Sequence, residues 1–188
     1  MGSFARFAMP LLQAAAARGL ADPERTGPLL DGWSRFAVRH LLDETDAPRR
    51  GSRSGHIAPR LYDMPWLARF FHDRHRAHGR EEGLERAARI IERRFDLSRV
   101  THLSIDVSPA ATAVCDALDT VGQTARAGRL RDPLVVGARR FARLARHLPA
   151  REVGYEQVIV APLLDLLGDA YALTGDAVFH DAIEERLP

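Results

Sequence analysis

Residues 155–176 read YEQVIVAPLLDLLGDAYALTGD, and this stretch decides the fold. Val158 to Leu167 is apolar on almost every side of a helix, broken only by Asp165. A helix apolar all round must be covered on most of its surface. Gly175 then ends the helix, and Asp176 opens another within a residue or two. A glycine just past a helix end takes the left-handed backbone that side chains resist. The stretch therefore predicts a tight hairpin of a buried helix and its successor.

The same design recurs along the chain. Residues 71–80, FHDRHRAHGR, parallel 167–176, LGDAYALTGD, at an offset of about two repeat units. Pro10, Pro65, Pro109 and Pro162 each stand early in an apolar helical segment, in the contexts AMPLL, DMPWL, VSPAA and VAPLL. Proline is tolerated in a first helical turn, where its missing N–H has no partner anyway. Ser108 is the expected cap before Pro109. If the last of these helices begins near Tyr155, Pro162 falls inside it and should kink it. Helices are expected near 4–18, 28–43, 62–78, 80–95, 109–127, 132–147, 155–174 and 176–187. The even-numbered ones are one-faced. Leu84, Ala87, Ala88, Ile91 and Phe95 share a face, as do Leu134, Ala138, Phe141, Ala145 and Leu148. Only HLSIDV, 102–107, alternates as a strand would. A repeat of about 50 residues implies an array of helical hairpins. Four are expected, near 4–43, 62–95, 109–147 and 155–187, within a single domain spanning 1–188. The long connections 44–60, 96–107 and 148–154 all lead into the buried helices, so they gather on one face.

Composition narrows the function classes. The chain has 188 residues, and all of its 27 basic residues are Arg, against 25 acids. Acids interleave most of the arginines, as in REEGLERAARIIERR at 80–94, so no nucleic-acid stripe is expected. No run approaches the roughly 18 apolar residues of a membrane span. The N-terminal apolar run is short and interrupted by Pro10 and Gln13, unlike a signal peptide. One cysteine, Cys115, sits in an apolar run and reads as core. A cytoplasmic location is the default expectation. Neither a dinucleotide nor a phosphate-loop glycine pattern occurs. His72, His75 and His78 step around their helix, so no metal or other cofactor is expected.

Residues 155–176, together with LYDMPWLARFF at 61–71 and GREEGLERAARI at 79–90, resemble hairpins of the six-hairpin glycosidase superfamily, the α/α toroid. The resemblance covers roughly residues 59–188 and implies an all-α fold of antiparallel helical hairpins forming an incomplete α/α toroid. Six such units would need roughly 300 residues, so four make either a fragment or an open array. The superfamily holds glycoside hydrolases, polysaccharide lyases, sugar epimerases and non-catalytic relatives. It implies a glycosidase-like protein acting on or binding a saccharide on the loop face. Glycoside hydrolysis needs two carboxylates, and Glu156 with Asp63 is the pair expected if the chain is active. Tyr155, Tyr62 and Trp66 would stack on sugar. Gln157, Arg60, His56 and Asp106 would bind its polar groups. An acid near a helix N-terminus is also favoured by the helix dipole without any function. Asp165 and Asp169 are expected to pair with arginines of a neighbouring helix. The alternative function is a non-catalytic helical-repeat interaction module, self-associating or binding a partner through its open ends.

Overall fold

The computed structural model describes residues 4–49, 61–98, 103, 105–144 and 156–187, without the side chains of 4–7 and 156–160. The described residues are all-α. The helices are α1 (Phe4–Ala17), α2 (Pro23–Phe36), α3 (Met64–His78), α4 (Glu81–Ser98), α5 (Val107–Thr120), α6 (Thr124–Ala142), α7 (Glu156–Thr174) and α8 (Ala177–Glu184). The chain divides into two compact units, Met1–Arg94 and Phe95–Pro188.

Local chemistry accounts for most boundaries. Asp22 caps α2 by accepting the Glu24 N–H at 3.0 Å, and Pro23 follows in the first turn. The helix begins at Pro23, five residues ahead of the expected start, and Pro28 is an interior residue. A π-helical turn, Ala37–Leu41, continues α2. Gly79 and Gly175 both adopt left-handed backbone, with φ of 64° and 67°, as the paired hairpin turns require. Asp176 caps α8 through the Val178 N–H. The expected break near 127–132 is displaced to Gly122, whose φ is 80°. Pro133 lies within α6, so it forgoes one hydrogen bond without ending the helix. Pro10 and Pro162 are likewise interior, in α1 and α7.

The strand expected at 102–107 does not form at its described positions. Asp106 has a φ of 67°, a backbone turn incompatible with a strand, and Val107 already belongs to α5. Ser108 is not a cap either. It is the second residue of α5, and Asp106 occupies the cap position.

In the first unit α1 packs on α2 and α3. Met64, Leu67, Ala68, Phe70 and Phe71 of α3 are buried. The α4 face read from the sequence is buried as a set, from Leu84 to Ile91. Gly83 sets the spacing of α3 and α4. A Cβ there would stand 2.8 Å from the Phe71 carbonyl oxygen and 3.2 Å from the His75 nitrogen. The connection after α2 is a compact loop. Asp43 Oδ1 accepts the N–H groups of Thr45 and Ala47, and Leu42 bridges Pro48. At its tip Asp46 is buried with a left-handed φ of 57°. Arg86 and Arg89 of α4 both pair with its carboxylate, Arg89 Nε at 2.6 Å.

In the second unit α5 packs on α6 and α7, and α6 also contacts α7 and α8. Leu134, Ala138 and Phe141 of α6 are buried, with Arg139 and Arg140 outward. Ala145 and Leu148 lie outside the described residues. Helix α7 buries Leu163, Leu166, Leu167 and Ala170, and it leaves open a narrow strip through Ala161, Asp165 and Ala172. Cys115 is fully buried, and burial pushes its thiol up to about 11, which removes it as a nucleophile near neutral pH.

Two outcomes test this packing. Gly83→Ala should lower stability by about 1–3 kcal/mol, because a backbone carbonyl cannot yield as a side chain can. Asp46→Ala should cost about 3–5 kcal/mol by leaving Arg86 without its buried partner. Urea unfolding followed by circular dichroism measures both, and Arg89→Ala, at a half-exposed position, should cost clearly less.

Candidate functional site

Asp63 ends a short 3-10 turn, Leu61–Asp63, and occupies the cap position of α3. Its backbone is helical, and its side chain makes no capping hydrogen bond. The residue is 4% exposed. It faces a cavity of about 350 Å3, counting the open mouth, whose described lining includes Trp33, Pro48, Arg49, Asp63 and Trp66.

Each wall has a local cause. Trp33 comes from α2 and is fixed by edge-on packing against Phe70, with ring centroids 4.4 Å apart. Trp66 follows Pro65 in the first turn of α3 and is half-buried. Arg49 extends from the compact loop. Its N–H donates to the Leu41 carbonyl at 2.7 Å, and its Nε to the Leu42 carbonyl at 2.6 Å. Two indoles, a buried carboxyl and an arginine thus share one concavity. Indole faces suit the C–H face of a ring, and the polar pair can bind hydroxyl or carboxylate groups.

The structure brings Asp63 and Trp66 together and places half-buried Tyr62 in the same turn. Trp33 and Arg49 were not among the expected site residues. Trp33 lies on α2, whose sequence gave no sign that it faces a cavity. Arg49 sits in the 44–60 connection, so its loop-face position was an available clue. Asp106 heads α5 in the second unit, with left-handed backbone and no side-chain cap. Glu156 and Gln157 open α7, but their side chains lie outside the described residues. His56, Arg60 and Tyr155 also lie outside the described residues.

A second constellation joins α5 to α7. Ser108 Oγ donates to Asp169 Oδ2 at 2.6 Å, and Thr112 Oγ1 to the same oxygen at 3.4 Å. Hydroxyls, not the expected arginines, hold this carboxylate. Asp165 lies one turn before Asp169 on the open strip of α7. Loss of hydration, and then the charge of Asp169, push its carboxyl above the ordinary range.

Of the three histidines of α3, His72 is buried with its Nδ1 3.3 Å from Asp73 Oδ1, and His75 Nδ1 lies 3.1 Å from the Arg80 carbonyl. His78 is exposed. Among the described residues no three potential ligands group for a metal. None of the described helices is long and apolar enough to cross a membrane.

No protein-family model matches the chain, and no curated protein matches it. Among solved structures, a polysaccharide lyase superposes on 98% of the chain with a TM-score of 0.82 and 19% sequence identity. The chain spans 26% of that protein's length. The likeness establishes a shared helical fold.

The raised carboxyl of Asp165 has a measurable sign. Between 3.8 and its raised folded value, the native state holds a proton that the unfolded chain has lost. Stability therefore falls as pH rises through that window, and the penalty persists above it. Asp165→Asn should raise the melting temperature slightly at pH 7 and flatten this part of the pH profile. A lowered melting temperature at pH 7 would contradict the assignment.

Proposed function

We propose that this chain is part of an α/α-toroid protein that acts on carbohydrate, and that the Trp33–Trp66 cavity is a saccharide subsite. The observation that carries the reading is the cavity itself, lined by two indoles together with Asp63 and Arg49. A pyranose presents an apolar face and a rim of hydroxyls, which matches that arrangement. The likeness to a polysaccharide lyase supports the same substrate class. In the catalytic form of the proposal, Asp63 and Glu156 are the acid–base pair of a glycosidase-like reaction. Tyr62, Gln157, Asp106, Tyr155, Arg60 and His56 are the sugar-binding residues of the same reading.

The test is thermal unfolding against neutral and uronate-containing oligosaccharides. A ligand that binds only the folded chain must raise its melting temperature. A saturable rise is expected for at least one of them. Trp66→Ala should weaken that binding by about tenfold or more, the loss of one stacking platform. Asp63→Asn and Glu156→Gln should each abolish product formation while leaving the oligosaccharide-induced shift in place. No response to any oligosaccharide would end the carbohydrate reading. Binding with unimpaired turnover in both carboxylate variants would end the catalytic assignment.

A further inference from the structure

A second concavity in the first unit lies where α3 and α4 approach most closely. It measures about 320 Å3 with its open mouth, and it is lined by Ser34, Phe71, Arg74, Arg80, Glu82, Gly83 and Arg86. The contact at Gly83 explains why these groups meet. Gly83 lies against Phe71. Arg74, one turn beyond Phe71, and Arg86, one turn beyond Gly83, extend from the two helices, and both line the cavity beside this contact. The Arg86 guanidinium lies 5.5 Å from the Phe71 ring centre.

Three arginines converge here, and they are not equally satisfied. Arg86 is held by buried Asp46, with Glu82 3.8 Å away. Arg74 has a side chain only 5% exposed, and its Nη2 pairs with Asp31. Its Nη1 is buried and has no hydrogen-bond partner. A buried donor left without an acceptor is costly. The Arg80 side chain is 59% exposed, with Asp31 4.0 Å away. The cavity also borders the first turn of the 18-residue helix α4, whose dipole favours a negative charge. Ser34 adds a hydroxyl. Against these stands one lining acid, Glu82, whose side chain is 84% exposed and free to turn to solvent.

We propose that this cavity binds a small oxyanion: free phosphate or sulfate, or a carboxylate carried on a sugar. Arg74 Nη1 and the Arg80 guanidinium donate to its oxygens, and Ser34 Oγ donates a neutral hydrogen bond. Arg86 and Asp46 hold the wall in place. The inference stands apart from the saccharide reading of the Trp33–Trp66 cavity.

The test uses the full chain in thermal unfolding against sodium phosphate, sodium sulfate and sodium glucuronate. Sodium chloride at matched ionic strength is the reference, and glucose is the neutral control. A saturable rise beyond chloride is expected for at least one oxyanion, with none for glucose. Arg80→Gln should raise the apparent Kd about tenfold without changing the anion-free melting temperature, since Arg80 is largely solvated. Arg74→Lys, which retains the charge but removes Nη1, should weaken binding similarly. Trp66→Ala should leave the oxyanion response intact. A response to inorganic anions identifies a free-ion site, and a response to glucuronate alone identifies a sugar-borne carboxylate. Shifts that follow ionic strength only, or a saturable shift unchanged in Arg80→Gln, would overturn the proposal.

Discussion

The ion pair between Asp46 and Arg86 supports both concavities of the first unit. Asp46 is buried in a left-handed conformation that a non-glycine residue adopts at a cost. Arg86 and Arg89 hold it there from α4. The loop around Asp46 then carries Pro48 and Arg49 into the indole-lined cavity. The other end of the same interaction fixes Arg86 in the wall of the arginine-lined cavity. A buried carboxylate between two guanidiniums is a poor way to gain net stability over an apolar cluster. It is a good way to specify one loop conformation, because either charge left alone inside would be strongly unfavourable.

The paired hairpin turns were legible because their cause is local. Gly79 and Gly175 need left-handed backbone, and sequence shows glycine directly. The buried α4 face was legible because 3.6-residue periodicity survives any tertiary arrangement. The boundaries expected near 28 and 132 failed because one helix runs through each of them. Pro28 and Pro133 lie inside helices whose other hydrogen bonds and packing outweigh one lost bond. The apparent strand at 102–107 failed for the converse reason. Six alternating residues carry little information, and one left-handed aspartate cancels it.

The lining of the indole cavity was legible in part. Asp63 and Trp66 were found from their position at the head of a buried helix, and they do line one cavity. Trp33 and Arg49 were missed because they reach it from an earlier helix and a loop, brought close only by packing. The partners of Asp169 were missed likewise. Charge complementarity suggested arginine, but the nearest donors on α5 are the hydroxyls of Ser108 and Thr112. Hydroxyl spacing of i and i+4 was visible, but nothing in it named the facing helix.

The sequence by itself determined an all-α chain of helical hairpins, because turn chemistry and hydrophobic period act over a few residues and need no knowledge of the rest. Only the tertiary structure decided which side chains share a cavity, which carboxylate is buried, and which arginine keeps an unpartnered donor. Those outcomes depend on how closely two helices approach, and at Gly83 that distance depends on one absent methyl group facing a backbone carbonyl.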